Sequence, residues 1–96
     1  MALVLIADDS PTDQHILSRA LEKHGFQTLV AKDGEEALRL ARERVPDVIL
    51  MDLVMPDVDG AEATRRIKEA CPQVQVIALT SYKEDDLVQG ALKAGA

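Results

Sequence analysis

Cysteine, basic clusters and long apolar runs are all scarce in this sequence, and each shortage removes a class of protein. A single cysteine, Cys71, excludes an internal disulfide framework and any metal site built from several cysteines. Seventeen acids against 11 bases leave a net charge of −6 with no basic stripe, which weighs against nucleic acid or an anionic membrane surface as a direct partner. The longest apolar run, Ala2–Ala7, is too short for a membrane span or a signal peptide. We therefore expect a soluble, acidic, cytoplasmic protein.

The length and composition favour one small folded domain over residues 1–96. A chain of 96 residues can bury roughly 60–70% of the surface that its unfolded form exposes, which is enough for a hydrophobic core. Hydrophobic residues make up 47% of the sequence and charged residues 29%, a balance typical of globular proteins and not of disordered ones.

Four short apolar segments have the character of β-strands. The first is uninterrupted and aliphatic, as expected of a strand that is covered on both faces. The second carries Gln27 and Thr28, which favours a position at the edge of the sheet. The predicted strands are Ala2–Ala7, Phe26–Ala31, Asp47–Met51 and Val74–Leu79.

Helical patterns follow each predicted strand. Ser10 can cap the first helix, Asp33 and Glu36 form a capping box for the second, the third runs from Gly60 through Cys71, and Ser81 can cap the fourth. Gly25, Pro46 and Pro72 mark the helix ends. The predicted buried positions are Ile16, Leu17, Ala20 and Leu21, then Ala37, Leu38, Ala41 and Val45, then Thr64, Ile67 and Cys71, and finally Leu87, Val88, Ala91 and Leu92.

Strands that alternate with helices predict parallel pairing and right-handed crossovers, hence a doubly wound α/β sheet. The polarity of the strands predicts the order 2-1-3-4. Sheets of this kind bind ligands beyond the carboxyl ends of their strands, at the point between strands 1 and 3 where the winding reverses.

Acidic residues collect at that predicted point. Asp8 and Asp9 follow strand 1, Asp52 follows strand 3 and Thr80 follows strand 4. At about 4 Å and an effective dielectric constant of 20, two carboxylates repel by about 4 kcal/mol, so either a cation or a shared proton must relieve them. Because the ligands are all oxygen, the cation would be a hard one such as Mg²⁺. Taken singly, each acid could instead be an ordinary capping or loop residue.

The motifs of the whole chain resemble the receiver domain of bacterial two-component response regulators, which has the flavodoxin-like fold. They agree in order, spacing and residue type. The matching segments are Ala7-Asp-Asp-Ser10, Val48-Ile-Leu-Met-Asp52-Leu-Val-Met-Pro56, Gly60, Ile77-Ala-Leu-Thr-Ser81 and Ala91-Leu-Lys-Ala-Gly-Ala96.

The resemblance implies a signalling phosphoacceptor and not an enzyme that turns over a substrate. Asp52 is similar to the phosphoacceptor, which receives its phosphoryl group from a phosphohistidine on a sensor histidine kinase or a phosphotransfer protein. Asp9 resembles the direct Mg²⁺ ligand, Asp8 its partner through water, and the backbone carbonyl of Val54 the third protein ligand. Thr80 resembles the switch hydroxyl.

Three positions beside these residues modulate the chemistry in the family. Ser81, beside Thr80, is suitably small. Val54 and Tyr82 occupy the variable positions that tune the lifetime of the acyl phosphate.

The sequence stops before the family's fifth strand and fifth helix, so we expect a truncated or engineered form of the domain. The family's lysine at the end of strand 5 is therefore missing, and neither Lys83 nor Lys93 stands at a strand end. Mg²⁺ binding should survive this loss, whereas phosphoryl transfer should be impaired. Val74–Leu79 would become an exposed apolar edge, which predicts self-association through strand 4 or by domain swapping.

Two other functions remain open on the sequence. A metal-dependent phosphatase with an aspartate nucleophile usually has a second acid two residues later, where this chain has Val54. The chain could also act only as a self-associating folding unit. Three outcomes would separate these functions. Labelling at Asp52 would indicate a receiver, and turnover of a phosphomonoester would indicate a phosphatase. A defined oligomer with neither activity would indicate a folding unit.

Overall fold

A computed structural model describes residues 2–52 and 60–79 of the chain, and these form an alternation of strands and helices. The predicted fourth helix, from Ser81, lies outside the described residues. No helix within the described ranges is long and apolar enough to cross a membrane. The elements are β1 (Leu3–Ala7), α1 (Pro11–Lys23), β2 (Gln27–Ala31), α2 (Gly34–Arg44), β3 (Val48–Asp52), α3 (Gly60–Ala70) and β4 (Gln75–Leu79).

The four strands form one parallel sheet in the order β2-β1-β3-β4, which confirms the predicted topology. Each strand begins one residue later than predicted, and β3 extends one residue further, to Asp52. At two of these starts the reason is a hydrogen bond back along the chain, to Leu21 of α1 and to Cys71 just after α3. The N–H of Phe26 donates to the carbonyl of Leu21, and that of Val74 donates to the carbonyl of Cys71, so neither joins the sheet.

Helices cover both faces of the sheet, and this accounts for the aliphatic β1 and β3. One side of the core contains α1, and α2 and α3 pack together on the other. Because neither strand has a solvent-facing side, both carry apolar residues without alternation. The α1 side buries Val4, Ile6, Leu17, Ala20, Leu21, Phe26, Val48 and Leu50, and the other side buries Leu5, Ala7, Ala31, Ala37, Ala41, Ile49, Met51, Ala63, Ile67, Cys71 and Val74.

The helix starts follow the predicted capping residues. The Ser10 hydroxyl accepts a hydrogen bond from the N–H of Asp13 at 3.4 Å, and the Asp33 carboxylate accepts one from the N–H of Glu36 at 2.8 Å. In the capping box of the second helix, Glu36 would be expected to accept a hydrogen bond from the N–H of Asp33. Its carboxylate instead accepts one from the N–H of the preceding residue, Lys32, at 3.1 Å. These bonds satisfy N–H groups that have no partner inside a helix.

Of the predicted core positions, Ile16 and Val45 are wrong, and Leu38 and Thr64 are only partly buried. Ile16 is 48% exposed, because at 100° per residue it falls at the margin of the stripe that Leu17 and Leu21 define. Thr64 is only partly buried, and Ala63 is the buried residue one position earlier. Val45 is 47% exposed, because the chain has already left the helix there and turned into a left-handed conformation.

The outer face of α3 carries ion pairs. Arg65 donates to both carboxylate oxygens of Glu62, at 3.1 and 2.6 Å, and to Glu69 at 2.7 Å. The hydrogen bond from Arg65, opposed by some desolvation and supported by Arg66, holds the pKa of Glu62 below its usual value. These pairs are solvent-exposed, so they contribute little to stability.

The conformation of Val45 predicts a stabilising substitution. Its φ of 43° lies in the left-handed region, where a β-branched residue is strained and glycine is not. Val45→Gly should raise the free energy of unfolding by about 0.5–1 kcal/mol, the relief of strain less the entropy that glycine adds to the unfolded chain. Urea unfolding measures the change. Val45→Ala, which retains Cβ, is the control. A glycine variant with a lower free energy of unfolding than the original chain would contradict the prediction.

Candidate acidic site at the carboxyl edge of the sheet

Three aspartates meet where β1 and β3 end. The register pairs Ala7 with Met51, so the next residues, Asp8 and Asp52, stand side by side. Asp9 follows directly on the same loop. One carboxylate oxygen from each of the three residues lies within 4.8 Å of the others. The predicted acidic cluster is therefore present.

The burial of this cluster is unequal. Asp8 is fully buried, Asp52 is 8% exposed and Asp9 is exposed. At 4.8 Å and an effective dielectric constant of 20, a pair of ionised carboxylates repels by about 3.5 kcal/mol. The cluster is exposed at Asp9 and buried at Asp8 and Asp52.

The chemistry of the donors fits a hard divalent cation. The cluster offers carboxylate oxygens alone, and it includes no histidine or cysteine among residues 2–52 and 60–79. Oxygen donors of this kind suit Mg²⁺, Ca²⁺ or Mn²⁺ and not zinc or copper. Two of the acids are buried, and a cation would offset the cost of keeping both ionised there.

Asp8 is held by hydrogen bonds at its backbone and its side chain. Its N–H donates to the carbonyl of Ala31 at 3.0 Å, and its carboxylate accepts from the N–H of Ser10 at 2.9 Å. Its carbonyl accepts from the side-chain amide of Gln14 on α1. Gln14 is not among the residues expected from the sequence. The available signal was an amide side chain in the first turn of the helix that follows a strand-end acid, since helical side chains lean toward the N-terminus.

The other predicted site residues cannot be placed with these three acids. Val54, Thr80, Ser81 and Tyr82 lie outside the described residues, as do Lys83 and Lys93, to which the sequence assigned no role. The last described residue of β4, Leu79, pairs with Asp52, so β4 ends at the same edge of the sheet as the acidic cluster.

The sequence matches the family described as the response regulator receiver domain over residues 4–96. It is 45% identical over 93 residues to Protein PilH of Pseudomonas aeruginosa, covering 94% of this chain and 77% of PilH. It is 55% identical over 94 residues to the response regulator protein VraR of Staphylococcus aureus, covering 96% of this chain and 45% of VraR. The chain therefore spans most of PilH but less than half of VraR.

Solved structures agree with the sequence relatives. The response regulator domain of Thermotoga maritima CheB has a TM-score of 0.77 and 34% identity, with 100% of this chain and 74% of that chain covered. The response regulator TrrA of Thermotoga maritima, solved in complex with Mg²⁺-BeF, has a TM-score of 0.78 and 28% identity, with 95% of this chain and 81% of that chain covered. The chain thus has the flavodoxin-like fold and belongs to the receiver domains of two-component response regulators.

Proposed function

We propose that this chain is the phosphoacceptor of a two-component phosphorelay and that Asp52 receives the phosphoryl group. The observation that carries the proposal is the meeting of Asp52 with Asp8 and Asp9, at the carboxyl ends of adjacent strands, in a member of the receiver family. The donor is a phosphohistidine on a sensor histidine kinase or on a phosphotransfer protein. A cytoplasmic location is part of the same proposal.

The transfer requires a nucleophile and an electrostatic partner. A carboxylate oxygen of Asp52 attacks phosphorus, an O–P bond forms, and the N–P bond breaks with its electron pair returning to the imidazole of the donor. Asp9 would hold Mg²⁺ directly and Asp8 would act through water, and the backbone carbonyl of Val54 would supply a further protein ligand beside the carboxylate of Asp52. When bound, Mg²⁺ offsets the negative charge that develops on the phosphoryl oxygens. TrrA, a receiver that was solved in complex with Mg²⁺-BeF, supports the choice of Mg²⁺ as the ion.

The remaining roles concern the phosphorylated state. The hydroxyl of Thr80 bonds the phosphoryl oxygen and couples it to a conformational or assembly change. Ser81 leaves room for that contact, and Val54 and Tyr82 tune the lifetime of the acyl phosphate. These assignments rest on the position of each residue in the family's motifs.

A phosphorylation assay tests the proposal directly. After incubation with Mg²⁺ and acetyl phosphate, intact mass spectrometry should show one phosphoryl increment, which Asp52→Asn should abolish because an amide is not a nucleophile at phosphorus. Asp47→Asn, just before the start of β3 and so at the other end of the strand from Asp52, should keep the increment. Removal of Mg²⁺ with EDTA should prevent labelling. Failure of the unsubstituted chain to label would sink the proposal, and repeated turnover of a phosphomonoester would favour a phosphatase instead.

The crowding of the acids predicts a stability effect that depends on the ion. In EDTA at neutral pH, Asp52→Asn should raise the free energy of unfolding by about 1–3 kcal/mol, part of the repulsion expected at this distance. Excess Mg²⁺ should reverse the order, since the original chain gains more from binding. Urea unfolding with and without Mg²⁺ measures both, with Asp47→Asn as control. If Asp52→Asn were less stable than the original chain in EDTA, the prediction would be wrong.

We also propose that the chain self-associates through β4, by strand pairing or by domain swapping. Within the described part of the chain β4 pairs only with β3, and Ala78 on it is exposed. A strand edge with unpaired N–H and C=O groups is a template for another chain. An assembly role without phosphorylation is the alternative function that this observation favours.

Light scattering tests the proposed association. The original chain should exceed the mass of a monomer, and Ala78→Lys should shift it toward the monomer by placing a charge on the edge strand. Gln27→Lys, on the opposite edge strand β2, should leave the assembly unchanged. A monomer that melts cooperatively would count against association.

A further inference from the structure

We propose that Gln14 is a positioning residue for the acidic site, because it sets the orientation of the peptide group that joins Asp8 to Asp9. The inference rests on the proposed function in one respect, namely that these aspartates hold a divalent cation. It adds a residue on α1 that does not itself belong to the acidic cluster.

The first step is that Gln14 is fixed to the loop that carries the acids. Its backbone N–H donates to the carbonyl of Ser10 at 2.9 Å, which closes the first turn of α1. Its side-chain amide donates to the carbonyl of Asp8, six residues earlier. Glutamine suits this position because it has both the length to reach back one turn and an N–H to donate.

The second step is that Asp8 has little freedom apart from this bond. It is fully buried, and its N–H and its carboxylate are bonded to Ala31 and Ser10 respectively. Its carbonyl is the polar group of Asp8 that faces Gln14. Without the amide, that carbonyl would lose this hydrogen bond in a partly buried setting, which favours rotation of the peptide group toward another partner.

The third step connects this carbonyl to Asp9. The carbonyl of Asp8 and the N–H of Asp9 belong to one planar peptide group, so a rotation of the carbonyl redirects the backbone of Asp9. Asp9 is exposed, and its side chain makes no hydrogen bond or ion pair with other residues in the described ranges. Among the described residues, it is therefore the backbone that directs the Asp9 carboxylate. Gln14 thus acts on the most exposed member of the cluster through the most buried one.

The test is Mg²⁺ affinity, measured by calorimetric titration of the full chain. Gln14→Met retains length and helix propensity but removes the donor, and it should weaken Mg²⁺ binding by about tenfold, as expected when a group that orients a metal ligand is lost. Gln27→Met, on the exposed start of β2, makes the same chemical change away from the acids and should leave the affinity unchanged. In EDTA the amide hydrogen of Asp9 should also exchange faster in Gln14→Met than in Gln27→Met.

The outcomes separate this inference from the proposed function. If the original chain binds Mg²⁺ and Gln14→Met binds it equally well, the positioning role is wrong and the proposed function stands. If Gln14→Met lowers stability without changing the affinity, the amide serves only the start of the helix, and the inference is again overturned. If the original chain binds no Mg²⁺, both proposals fail. An equal loss of affinity in Gln27→Met would also contradict a specific role for Gln14.

Discussion

The parallel pairing of β1 with β3 is the interaction on which the rest of the structure depends. It forms the centre of the sheet, and the helices on both faces pack against these two strands. It also places Asp8 beside Asp52, although the two residues are far apart in the sequence. Fully burying one aliphatic side chain contributes about 1.5–3 kcal/mol, and the repulsion of two carboxylates at this distance costs about 3.5 kcal/mol. Two or three core side chains therefore offset one unfavourable pair.

The features that the sequence predicted are those that follow from long-range pattern. Uninterrupted aliphatic strands indicate burial on both faces, and alternation with helices indicates parallel order, so the sheet and the meeting of Asp8, Asp9 and Asp52 could be derived before the structure. The failures are local. Ile16 is as apolar as Leu17, and only the rotation of α1 about its axis decides which of them is buried. Val45 continues the helical stripe in the sequence but stands beyond the helix end, where Pro46 already excludes another turn.

Gln14 was missed for a different reason. Glutamine is common in the first turn of a helix, and at this position it belongs to no hydrophobic or capping pattern. Its partner is a backbone carbonyl, which no sequence pattern marks. Contacts between side chain and backbone depend on the exact direction of a loop, which the hydrophobic pattern does not encode. The sequence thus predicted that the three aspartates meet, but it did not predict the contact of Gln14 with Asp8.

Two opposing effects act on the acidic site. Repulsion among the acids favours their separation, and hydrogen bonds from Ser10 and Gln14, together with the one that Asp8 donates to Ala31, hold Asp8 in place against it. Asp8, held in this way, needs little rearrangement when a cation arrives, so its part in binding carries only a small ordering cost. Stability and ion binding are then coupled through the same three carboxylates. A substitution that moved the three carboxylates apart would make the chain more stable without the ion and would weaken its binding of the ion.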